Sequence, residues 1–198
     1  MRFFAFLLTT LLSLAAYPSD AQEAVRPKAP AGEQPPPPKP ATLDDLFERL
    51  SRAGSEREAE GISKLIERRF SRSGSDTADL LLNRATRAFE KKDFPLAIEL
   101  LDRVLALQPD WAEAWYRRAT VFYQIDDPVA AMADLSRALK IEPRHFNAWT
   151  GLGHILMASD DKARALEAYR RVLSINPQEA SVQTIVNRLV PDVDGQDL

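Results

Sequence analysis

Residues 112–145 read AEAWYRRATVFYQIDDPVAAMADLSRALKIEPRH. Trp115, Ala119 and Phe122 step along this stretch by three and four residues, and so do Ala131, Leu135 and Ala138. Each set therefore lies on one face of a helix. Asp126, Asp127 and Pro128 stand between them as a turn, and short acidic residues there cap the helix that follows. Pro143 falls beyond the second helix, which cannot continue through it cheaply. The stretch thus predicts a helical hairpin, with small residues at the crossing so that the two axes approach closely.

The pattern recurs outward in both directions at a spacing of 34 residues, marked by Pro109, Pro143 and Pro177. The preceding block carries Leu81, Ala85, Ala88, Ala97, Leu101 and Val104, and the following one Trp149, Gly153, Leu156, Ala165, Tyr169 and Val172. Ala97, Ala131 and Ala165 are the expected crossing points. A period of about 34 residues is that of stacked helical hairpins, which bury in series what no single hairpin can hide.

These columns resemble the tetratricopeptide repeat family over residues 78–177. The resemblance implies an all-α, right-handed α-solenoid of antiparallel helix hairpins. Three repeats are expected, at 78–111, 112–145 and 146–177. The departures are Leu81 in the family's tryptophan column, and Arg84 and Arg118 in a leucine column that only Leu152 matches.

Flanking segments extend the helical region. Thr42 and Asp45 form a capping-box pattern before Leu43, Leu46, Phe47 and Leu50, and Ser55 with Glu58 forms a second before Ile62, Leu65, Ile66 and Phe70. Residues 42–77 are expected to be a divergent hairpin, a degenerate repeat capping the stack. Residues 178–190, with Val182, Ile185, Val186 and Leu189 on one face, are expected to be the closing helix, stopped by Pro191. Residues 191–198 are expected to be a disordered acidic tail.

At the other end, Arg2 is followed by an apolar run over residues 3–16 and then by small residues. This is the pattern of a secretory signal peptide, with cleavage expected after Ala21 and an uncleaved anchor as the alternative. Residues 22–41 form a proline-rich linker whose Pro35–Pro38 run favours polyproline II. The chain of 198 residues has no cysteine and a net charge of −3. Disulfides, thiol nucleophiles and the usual structural zinc sites are therefore out of reach. A periplasmic or secreted bacterial envelope protein fits this combination. No basic stripe supports nucleic-acid binding.

Chemistry-bearing constellations are sparse. His145 and His154 share no ligand set, so no metal is expected. Gly151 and Gly153 lack the rest of a dinucleotide-binding pattern, and Gly153 occupies a packing column. Ser159 and Lys162 have the spacing of a serine–lysine nucleophile pair without its accompanying motifs, and Ser159 reads as a helix N-cap. The expectation is no enzyme and no cofactor.

The resemblance implies a concave groove lined by the first helix of each repeat. Its rows are Leu82, Tyr116 and Thr150; Thr86, Thr120 and His154; and Phe89, Tyr123 and Met157, with Arg117, Gln124 and Asn147 beside them. The positions where related domains clamp a peptide's terminal carboxylate hold Leu82, Thr86, Arg117, Asn147 and Gly151, so that ligand is not expected. The implied function is a non-enzymatic protein-interaction adaptor for a protein or peptide partner. A self-assembling scaffold is the alternative and an envelope hydrolase a weak third.

Overall fold

The computed structural model describes residues 41–195; the expected leader, the linker up to residue 40 and the last three residues lie outside them. The described residues form nine α-helices and no strand: α1 Leu43–Ser51, α2 Glu56–Phe70, α3 Asp76–Glu90, α4 Phe94–Leu107, α5 Ala112–Gln124, α6 Pro128–Ile141, α7 Phe146–Ala158, α8 Lys162–Ile175 and α9 Ala180–Asp194. The pairs α3–α4, α5–α6 and α7–α8 are antiparallel hairpins, each packing its second helix on the first helix of the next. Ala97, Ala131 and Ala165 are each 0% exposed at the crossings.

The 34-residue period is visible atom by atom. Lys92, Asp126 and Asp160 hold φ of 59°, 61° and 58° in the three internal turns, the left-handed conformation that ends a helix. The next residues, Asp93, Asp127 and Asp161, each accept the amide three positions on, at 3.3, 3.0 and 3.2 Å. Ser159 is therefore not the N-cap of α8. It ends α7, and its hydroxyl donates to the Ile155 carbonyl at 3.0 Å. The indoles of Trp115 and Trp149 donate to the carbonyls of Pro109 and Pro143, both at 2.8 Å. The tryptophan and proline columns thus satisfy one another. Gln183 donates to Pro177 across the same six-residue step, so α9 keeps the repeat register with an amide in place of the indole.

Arg118, a departure in the leucine column, and Gly153, in a packing column, each have a local cause. Arg118 makes a bidentate pair with Asp134 at 2.7 and 2.8 Å and a third bond to Asp102 at 2.6 Å. Its guanidinium lies 4.9 Å from the Trp115 ring, so an ion network and a cation–π contact replace leucine packing. A Cβ on Gly153 would come within 2.6 Å of the buried Tyr169 ring.

The terminal segments differ from expectation. Helix α9 continues through Pro191 to Asp194 rather than stopping. Pro191 costs the helix one amide donor, but it sits in the exposed last turns. Val190 and Val193 pack on the core there, and Lys162 pairs with Asp192 at 3.0 Å. The α1–α2 hairpin is not a repeat stacked ahead of α3. Its apolar side chains Leu46, Phe47, Leu50, Ile62, Ile66 and Phe70 share one core with α7–α9, including Phe146, Leu166 and Tyr169. The core of α3–α4 contains none of them.

Helix α2 instead runs past the junctions between repeats. Gln178 donates to the Ala53 carbonyl at 3.1 Å, Asn147 to Glu67 at 3.0 Å, and the Trp111 indole to the Phe70 carbonyl at 2.7 Å. Arg144 ties α1 down through Asp44 at 2.7 Å and covers the Phe47 ring at 4.3 Å. The Thr42–Asp45 capping box is complete. In the second, Glu58 reaches Gly54 rather than the N-cap amide, and Leu65 is 36% exposed rather than buried.

Candidate interaction groove

Helices α3, α5 and α7 line two adjoining cavities. The first, of about 220 Å³, lies between α5 and α7 and is lined by Tyr116, Thr120, Tyr123, Thr150, His154 and Ile155, among others. The second, of about 40 Å³, lies between α3 and α5 and includes Thr86, Phe89, Arg117 and Thr120. Thr120 borders both, so eight of the ten expected groove residues fall on one trough. Leu82 does not. It is 4% exposed, in the α3–α4 core, unlike Tyr116 and Thr150 of the same column, which line the first cavity. Met157 packs half-buried against the core of α7–α9.

The polar groups of the trough are mostly acceptors. Thr86, Thr120 and Thr150 donate their hydroxyl protons back to the carbonyls of Leu82, Tyr116 and Phe146, each at 3.0 Å. What remains for a ligand is the oxygen lone pairs and the methyl. Burial lowers the His154 imidazole below its ordinary value of 6.5. Burial pushes the Tyr116 phenol up, so it keeps its proton as a donor at neutral pH.

Under the α2 edge lies a buried polar chain that sequence reasoning missed. His145 is 0% and Glu113 4% exposed. His145 Nδ1 accepts the Ala148 amide at 3.2 Å as the N-cap of α7. The ring proton is therefore on Nε2, which faces Glu113 Oε2 at 3.1 Å. The other oxygen of Glu113 holds Arg117 at 2.5 Å. Burial alone would lower the Arg117 pKa, but the Glu113 carboxylate outweighs it and the value is raised. Phe70 stacks on His145 at 4.6 Å with rings 14° apart, and Tyr116 lies on it at 4.9 Å. His145 is thus a core residue and not a surface or groove histidine. The available signal was a histidine one residue before an aromatic-rich helix, at a cap position. Among the described residues no group of three or more His, Asp or Glu could hold a metal.

Comparison with known proteins gives a consistent picture. Two models described as tetratricopeptide repeat match residues 85–148 and 126–189. A TPR repeat-containing protein of Rhizobium etli is 35% identical over 122 residues, and the match covers 58% of each chain. This chain therefore spans little more than half the length of that relative. Among solved structures, the first TPR of Spaghetti (RPAP3), bound to an HSP90 peptide SRMEEVD, aligns with TM-score 0.57 at 18% identity, over 61% of this chain and 95% of its own. The Sgt2 TPR domain of Aspergillus fumigatus aligns with TM-score 0.56 at 20% identity, over 62% and 83%. The TPR2B domain of yeast Sti1, in complex with pHsp70, aligns with TM-score 0.54 at 18% identity, over 60% and 99%.

Proposed function

Because the chain belongs to the tetratricopeptide repeat family, we propose that it is a non-enzymatic interaction module that docks a partner segment in the trough along α5. The carrying observation is the trough itself: two adjoining cavities with Tyr116 and Thr120 in their walls and Tyr123, 49% exposed, at the mouth. Half-exposed aromatic side chains of this kind give large contact area at little entropic cost and are the usual anchors of an interface. Fold neighbours solved with HSP90 or Hsp70 ligands support a peptide-binding use of this architecture.

The same ligand chemistry does not carry over. Arg117, in a clamp column, is spent on Glu113, and the Asn147 amide is spent on Glu67. A terminal carboxylate would have to displace both. The experiment is affinity capture with the full chain beside its Tyr116→Ala and Tyr123→Ala variants. Partners lost in both variants support the groove, and partners retained in both contradict it.

Location in the bacterial envelope is part of this proposal, supported by the apolar N-terminal run and the absence of cysteine. Fractionation of a tagged chain tests it: recovery in the periplasm or medium is expected, and retention in the cytoplasm contradicts it. Self-association is the second reading. It is favoured by Leu80, Leu96 and Leu107 on α3 and α4, which are 58%, 41% and 52% exposed. A mass by light scattering that stays monomeric at every concentration would rule it out.

A further inference from the structure

The trough does not end at Tyr123. A third cavity, of about 460 Å³, continues it past Tyr123 and Ile155 to Gln124, Asp126, Pro128, Ala158 and Ser159. Its lining mixes apolar side chains such as Ile155 and Ala158 with polar ones, and Ile125 and Val129, next in sequence to lining residues, are 42% and 73% exposed. Acidic turn residues border the cavity: Asp126 is in its lining, and Asp160 follows the lining residue Ser159. Both are the left-handed turn residues of their repeats. Both carboxylates are exposed, and neither has a hydrogen-bond or ion-pair partner among the described residues. Asp127 and Asp161 beside them cap α6 and α8. Lys162 interacts with Asp160 electrostatically but is hydrogen-bonded to Asp192, at 3.0 Å. In the first repeat the same column is Lys92, preceded by Lys91, so the rim changes sign along the stack.

Resting on the groove reading above, we infer that the partner segment is basic and apolar. A large apolar or aromatic residue fills the α5–α7 cavity. An adjoining Lys or Arg lies over the Tyr123 ring between Asp126 and Asp160. Three independent features agree on this chemistry. Asp126 has no ion-pair partner among the described residues, Asp160 faces only Lys162, itself held by Asp192, and the exposed Tyr123 ring is open to a cation. The threonine oxygens and His154 offer acceptors to ligand donors. Meanwhile the trough's own cation, Arg117, is neutralised in place. Charge complementarity of this kind sets specificity and register more than raw affinity.

The test selects a displayed library of random short peptides on the immobilised full chain, on Tyr116→Ala, and on the double variant Asp126→Lys/Asp160→Lys. Thermal melts confirm that the exposed substitutions leave the fold intact. Expected are peptides pairing Lys or Arg with a large apolar residue, lost on Tyr116→Ala. Charge reversal should weaken them about fivefold to tenfold, an effect that shrinks as salt is raised. Acidic or charge-indifferent peptides that still depend on Tyr116 would overturn this inference and leave the groove standing. No selected peptides, or peptides indifferent to Tyr116→Ala, would overturn both.

Discussion

The three repeat hairpins and the α1–α2 hairpin are built from the same materials: short amphipathic helices, polar caps and apolar stripes at helical spacing. They bury those stripes in different ways. Each repeat packs on its sequence neighbour, so its partner is the next thirty-odd residues. The α1–α2 hairpin packs on α7–α9, roughly a hundred residues away, and runs past the junctions of repeats it does not belong to. A periodic sequence specifies its own neighbour. An aperiodic one specifies only that something must cover its apolar face.

The contrast is sharpest at Glu113, which lies under α2 and connects the two regions. Glu113→Ala leaves the buried His145 and the half-buried Arg117 without a counter-group. A loss of about 3 kcal/mol is expected, since breaking a buried pair strands the remaining partner. A cost well under 1 kcal/mol in denaturant melts would mean that the α2 edge is open to water and not packed.

Next in size is a test within the stack. Gly153→Ala would gain helix propensity in isolation, yet its methyl meets the Tyr169 ring at 2.6 Å. Overpacking of this kind costs about 1–3 kcal/mol, and a second change, Tyr169→Leu, should recover part of it. A Gly153→Ala variant more stable than the parent would show that α7 and α8 are farther apart than described. A smaller effect measures the join itself. A double-mutant cycle of Phe70→Ala with His145→Ala should give a coupling near 1 kcal/mol for the stacked rings. Additive effects would separate the hairpin from the stack.

The smallest effect is a titration. Burial disfavours the charged imidazole of His154 in the folded chain, so its midpoint lies below 6.5. The unfolded chain then binds the proton more readily. Stability from this group is present above that value and declines as pH falls through it. A ring-proton titration by NMR with a midpoint above 6.5 would place an acid beside His154 that the structure does not.

Much of this was legible in the sequence because the repeat fixes both the partner and the spacing of each column. Ala97, Ala131 and Ala165 at the crossings follow from the period, and the placing of Tyr116, Thr120 and His154 on one trough follows from the family resemblance. Leu82 was misplaced because its column faces the groove in later repeats but serves the core in the first. Ser159 was misread because a serine ending one helix and an aspartate starting the next stand two residues apart, and either can cap. Pro191 read as a stop because sequence cannot show that Val190, Val193 and Asp192 hold the last turn. The Glu113–His145 pair escaped notice because its members are 32 residues apart and their burial depends on Phe70, from outside the repeat.

The most direct measurement is the set of nuclear Overhauser contacts of the Phe70 ring in the full chain. Ring centroids 4.6 Å apart predict strong cross-peaks to the His145 ring, with further contacts into the α7–α9 core. Cross-peaks confined to α3, with none to His145, would return α1–α2 to an ordinary leading repeat and remove the packed edge from the groove.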